Sequence, residues 1–245
     1  MKKIILVLTL STTILSVNAQ IKLPSGNLGN TLNNAANAAT GAGANLSESD
    51  IAKGLKEALD VGTKNAVGAV SKTDGFFKNP KVKIPFPPEV KKVETSVRKI
   101  GMNKQADDFV MALNRAAEDA AKSATPIFGD AIKSMTLSDA KSILKGKETA
   151  ATDFMKGKTS NELAAKFRPI VQQSMQKVQV TKHWKTIATK YNQLPMTQKV
   201  NPDLEKYVTD KAIEGLFKMI AEEEIKIRKD PAARISDLLK SVFGS

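Results

Sequence analysis

An all-α fold is what this sequence predicts: a single-domain bundle of several helices, interrupted by one irregular segment near residues 74–88. Three observations point that way. Apolar residues recur at intervals of three and four along most of the chain. Helix-start chemistry, a Ser, Thr or Asp followed closely by an acid or a proline, reappears between those stretches. No alternating apolar and polar run of strand length competes with them.

The N-terminus comes first. Lys2 and Lys3 precede an apolar run from Ile4 to Leu15, and Val17-Asn18-Ala19 supplies small residues at the usual cleavage positions. That order predicts a secretory signal peptide over residues 1–19, cut after Ala19. The apolar run is about twelve residues, short of the roughly 20 that span a bilayer, and nothing later approaches that length. The expectation is an exported protein, periplasmic and soluble after cleavage. Residues 20–46 are rich in Asn, Gly and Ala with few large apolar side chains. They bury too little to offset their ordering entropy, so a flexible tether is predicted there.

One helical domain is expected over residues 47–245. It opens at Ser47, where "SESD" offers acceptors for free helix amides, and Ile51, Leu55, Leu59, Gly62, Ala66 and Val70 follow at helical spacing. The segment "DGFFKNPKVKIPFPP" then places a turn at Asp74-Gly75 and brings four prolines, which forbid a continuous helix. It is predicted as an extended loop or short irregular hairpin laid over the helices. Thr125-Pro126, "TLSD" at 136 and "TSNE" at 159 read as successive helix starts. Gly146 and Gly157 fall where helix ends favour a positive φ. A longer helix is expected from about Asp203 to Lys229. In the last one Asp230 caps, Pro231 opens, and Ile235, Leu238, Leu239 and Val242 form an apolar stripe.

Composition removes much of chemistry. There is no cysteine, so disulfides, thiolate metal sites and a cysteine nucleophile are excluded. His183 is the single histidine, and it sits off the face formed by Val180, Trp184, Ile187 and Tyr191. No phosphate loop, nucleophile elbow or calcium-loop spacing is present. No cofactor and no metal are expected. What remains is carboxylate chemistry, with Glu118, Asp130, Asp139, Asp153, Glu214 and Glu222-Glu223-Glu224 as candidates. The ordinary account of that last run is surface pairing, Glu222 with Lys226 and Glu224 with Arg228.

The formal charge is +13, or +11 once Lys2 and Lys3 leave with the signal. In an exported protein such a balance suits lipid headgroups, lipopolysaccharide or acidic polymers, and nucleic acid is not expected. Residues 78–99 carry seven Lys or Arg against two Glu. Lys78, Lys81 and Lys83, interleaved with Phe76, Phe77 and Phe86, are therefore candidate anion or membrane contacts. The alternative is that the rings pin the loop to the bundle while the lysines stay in water.

The stretch "MALNRAAEDAAKSATPIFGDAIKSM" can be resolved by turning about 100° per residue. Ala106, Phe109, Leu113, Ala117, Ala120 and Ala124 form a buried face whose small side chains admit a close neighbour. Asp108, Arg115, Asp119 and Lys122 fall opposite, with Arg115 and Asp119 read as a solvated pair. Asn114 and Glu118 stand at the seam. They are candidates either to line a polar cleft, with Arg168 or Arg228 converging on Glu118, or to bond the end of a neighbouring helix.

Four segments in order, "GLKEALDVGTKNAV", "DGFFKNPKVKIPFP", "NRAAEDAAKSATPIFGDAIKSMTLSDAKSILKGKETAATDF" and "YVTDKAIEGLFKMIAEEEIKIRKDPAARISDLLKSVFG", resemble the domain-of-unknown-function 4197 family of exported Gram-negative proteins. The resemblance implies a soluble envelope protein with one helical domain, from about Ser47 to Gly244. It carries no activity or catalytic residue. Three functions stay open: a non-enzymatic binding domain for an anionic or amphipathic envelope component or a protein partner, a carboxylate-dependent glycan hydrolase, or a purely structural domain.

Overall fold

The computed structural model describes residues 47–195 and 200–244, and the expected leader and tether lie outside them. Among the described residues there is no strand. In chain order the helices are α1 (Glu48–Val70), α2 (Lys91–Lys99, entered through a 3-10 turn at Pro88–Val90), α3 (Asn103–Ala121), α4 (Ala124–Ser134) and α5 (Leu137–Lys145). Then come α6 (Ala150–Lys177), α7 (Val180–Tyr191), α8 (Leu204–Lys229), a 3-10 turn (Pro231–Ala233) and α9 (Asp237–Phe243). The long α8 packs on α6, α1 and α3, while α3 also meets α6 and α7. The small face expected of α3 is its buried face: Ala106, Phe109, Leu113, Ala116, Ala117 and Ala120 are fully inaccessible. None of these helices is long and apolar enough to cross a membrane.

Several helix starts form as the sequence predicts. The Ser47 side chain accepts from the Asp50 amide, Asp203 from the Lys206 amide, and Thr136 with Asp139 closes a reciprocal capping box. Others do not. The "TSNE" start at 159 is absent, because α6 runs unbroken through Gly157 and Pro169. Thr159 Oγ1 donates back to Met155 O at 2.7 Å, so its hydroxyl serves the helix interior instead of capping a new one. Gly146 ends α5 in extended backbone, with no positive φ. α4 begins at Ala124, placing Thr125 and Pro126 inside its first turn.

The C-terminal stripe is also split. Pro231 opens only a 3-10 turn, and α9 is capped by Ser236, whose side chain accepts from the Leu239 amide. The break has a cause: Arg234 Nε donates to Ile227 O at 3.1 Å and Nη2 to Arg228 O at 2.9 Å, satisfying carbonyls at the end of α8. Ile235 is left 70% exposed, while Leu239 and Val242 are buried against α1.

The proline segment is an irregular loop. Asp74 takes a left-handed φ of 68°, and at Gly75 a Cβ would stand 2.6 Å from the carbonyl oxygens of Ala69 and Val70, so only glycine fits. Beyond that turn Phe76 enters the core, where Gly215 of α8 makes room for its ring. A Cβ at Gly215 would lie 2.7 Å from Phe76 Cε1 and 3.1 Å from Val82 Cβ. Gly to Ala within a helix ordinarily stabilises by about 0.5–1 kcal/mol. Gly215→Ala is expected instead to cost about 1–3 kcal/mol in urea unfolding, because a fully buried ring must shift. A gain in stability would show that the loop yields.

Candidate functional site

A loop with four prolines cannot join a ladder, yet some of its backbone is buried and needs partners. The α3 seam supplies them. Glu118 Oε1 accepts from the amides of Phe76 and Phe77, both at 3.1 Å. Asn114 Oδ1 accepts from Ile84 N at 2.8 Å, and its Nδ2 donates to Ile84 O at 2.8 Å and Val110 O at 2.7 Å. One amide side chain thus serves both backbone groups of Ile84, as a neighbouring strand would.

The second Glu118 oxygen meets Arg115 Nη1 at 2.6 Å, and Arg115 Nη2 reaches Asp74 Oδ1 at 2.5 Å. Arg115 is therefore a partly buried strut between loop and helix, and not the solvated partner of Asp119. Burial works against its charge, but the bonds to Glu118 and Asp74 outweigh that and raise its pKa. Asp74 is held below the usual carboxylate range by Lys78 and Arg115, and Asp119 by Lys122 and Ser174. Glu118 does border a polar cleft of about 160 Å³, lined also by Lys122 at the end of its own helix and by Ser174 and Lys177 of α6. Both its oxygens are nevertheless turned to protein donors.

The arginines expected to converge on Glu118 lie elsewhere. Arg168 is exposed and pairs with Glu205 at 2.6 Å. Arg228 pairs with Glu224 at 2.9 Å, and this pair is buried, with side chains 14% and 8% exposed. Glu224 is a second strut: it accepts from the amides of Ala151 (3.0 Å) and Thr152 (2.8 Å) and from Thr152 Oγ1 (2.7 Å), closing the start of α6. Arg228 Nη2 also donates to Ile143 O at 3.0 Å, across the α5–α6 connection. Glu222, expected beside Lys226, instead pairs with Lys81 of the loop at 2.8 Å.

In the loop, Phe76 and Phe86 are buried and Phe77 is partly so. Phe86 packs on Phe109 (centroids 4.8 Å apart), which packs on Trp184 (5.5 Å). Tyr207 Oη donates to Pro85 O at 3.2 Å, and burial first, then Glu89 and Glu214, push its pKa up to about 12. The rings thus face inward, while Lys78, Lys81 and Lys83 have their own partners. Lys78 pairs with Asp74 at 2.8 Å, Lys81 with Glu222, and Lys83 Nζ lies 4.6 Å from the Phe77 ring centre.

A different surface holds unpaired charge. Residues 163–202 contain seven lysines or arginines and no acid. Lys166 and Lys177 on α6 and Lys182, Lys185 and Lys190 on α7 are all exposed. Apart from Arg168, none of the described cations in that span forms a salt bridge with a described acid. Gln172, Gln173, Gln176 and Thr189 are exposed among them, adding neutral donors. Helix α2, packed on α7, contributes exposed Lys92 and Lys99. Counting cations finds the loop. Counting the absence of acids finds α6 and α7, where single lysines are too widely spaced to form a dense run.

Among the described residues no three acids or histidines gather to hold a metal. Residues 45–244 match a family model described as protein of unknown function (DUF4197). No curated protein and no solved structure matches.

Proposed function

The chain belongs to the DUF4197 family, and we propose that it is a non-enzymatic binding domain, exported to the envelope, for an anionic component such as an acidic polymer or a negatively charged lipid surface. The observation carrying this reading is the unpaired lysine face of α6 and α7. Lysines of α7 without a salt-bridge partner keep their field, whereas Lys78 and Lys81 of the loop are neutralised by Asp74 and Glu222. Its neutral Gln and Thr side chains suit a ligand rich in oxygen acceptors. The buried carboxylates offer little to the hydrolase alternative. Glu118 and Glu224 spend their oxygens on backbone amides and arginines, leaving none aimed at a substrate.

The test is binding of the purified protein to vesicles containing anionic lipid, to lipopolysaccharide and to an acidic polysaccharide. Affinity should fall steeply with added salt, as screening between exposed charges requires. At a lipid surface each lysine contributes about 1 kcal/mol, so joint Lys182→Gln, Lys185→Gln and Lys190→Gln should weaken vesicle binding about 100-fold. Joint Lys78→Gln and Lys81→Gln should change it far less. Salt-insensitive binding, or indifference to the α7 changes, would remove the reading. The vesicle and polymer arms separate the two sources of anion.

A further inference from the structure

An open cleft of about 380 Å³ lies between the proline loop and the α2–α3 pair. Its apolar side is built from Phe77, Pro85 and Val110, and its polar side from Arg98 and two acids. Arg98 Nε meets Glu94 at 3.1 Å and Nη2 meets Asp107 at 2.8 Å. We infer that this cleft is a binding site for a sugar ring carrying a carboxylate, a uronic acid residue. The inference does not depend on the α6–α7 lysine face.

Three properties carry it. First, the cleft is two-sided in chemistry. A pyranose presents an apolar C–H face and a rim of hydroxyls, and the cleft sets an aromatic ring, a proline and a valine opposite a guanidinium between carboxylates. Asp107 is 65% exposed and bonds through a single oxygen, leaving the other to accept hydroxyls. Arg98 has further N–H groups beyond the two engaged.

Second, the walls are held before any ligand arrives. Phe77 is fixed through its amide by Glu118, and Lys83 and Pro85 flank Ile84, which Asn114 grips through both backbone groups. Glu94 is 14% exposed and bonded by Lys91 as well as Arg98, so the opposite wall is braced too. Preorganised walls of this kind lower the entropy lost on binding.

Third, the charges balance in a telling way. Among the lining residues Arg98 is offset by Glu94 and Asp107, while Lys83 has no acid and rests over the Phe77 ring. A ligand that displaces Lys83 from the ring gains the aromatic face and offers its own carboxylate to the freed ammonium. A bare phosphate would meet two acids and have no use for the apolar floor.

The experiment is titration of the full chain with tetragalacturonic acid, followed by NMR at the Phe77 ring and Val110 methyls, with cellotetraose as the uncharged comparison. Both groups should shift on adding the acidic tetramer. Asp107→Asn and Lys83→Gln, each on an exposed side chain, should weaken binding about tenfold with unchanged melting temperature. Joint change of Lys182, Lys185 and Lys190 to Gln should leave the Phe77 and Val110 shifts in place. The proposal is overturned by shifts confined to the α7 face, by no shift at millimolar tetramer, or by indifference to Asp107→Asn. Equal binding of cellotetraose would overturn the requirement for a carboxylate.

Discussion

Replacing Glu118 by alanine is expected to destabilise the protein by about 3–5 kcal/mol, the usual result of removing one partner of a buried charge pair. The side chain is 5% exposed, and its loss strands two loop amides together with one side of Arg115. For a domain of this size each kcal/mol is worth about 2–4 °C, so the melting temperature should fall by roughly 6–20 °C. Glu118→Gln should fall between, since its amide oxygen still serves the loop while its NH₂ group faces Arg115. Thermal and urea unfolding read both. A loss below about 1 kcal/mol for Glu118→Ala would mean that the carboxylate is not what holds the loop.

Glu224→Ala is expected to cost a similar amount, about 3–5 kcal/mol, and to do so at a different place. It frees the Ala151 and Thr152 amides at the start of α6 and leaves Arg228 buried without its acid. Hydrogen exchange should therefore accelerate in the first turn of α6 beyond the global change. Two residues away, Glu222→Ala removes only a surface contact with Lys81 and should cost about 1 kcal/mol or less. Equal costs at 222 and 224 would refute the distinction between strut and surface pair.

That distinction marks where the sequence was legible. Helical phase predicts the α3 face residue by residue, because burial of an alanine stripe depends only on local geometry and the presence of a neighbour. It also places Asn114 and Glu118 at the seam. It misplaces Arg115, whose partner Asp74 lies 41 residues away, and it reads Glu224–Arg228 as a surface pair because spacing carries no information about burial. The long α6 was hidden for a related reason. Thr159, Ser160 and the adjacent acid imitate a cap, and only tertiary burial of Thr159 selects the helical alternative. The loop lysines stood out locally, but the acid that neutralises Lys81 arrives from α8. The α6–α7 face and the Phe77 cleft gave no dense signal, since each is assembled from separate segments.

The two struts share a direction in time. Glu118 locks residues made some 40 positions earlier, and Glu224 locks a helix start made about 70 positions earlier. During synthesis the N-terminal segments therefore emerge before the groups that fasten them, and the start of α6 stays unfastened until α8 has left the ribosome. Such long sequence separations slow closure and delay the final lock. The start of α6 gains its fastening only once the last long helix is complete.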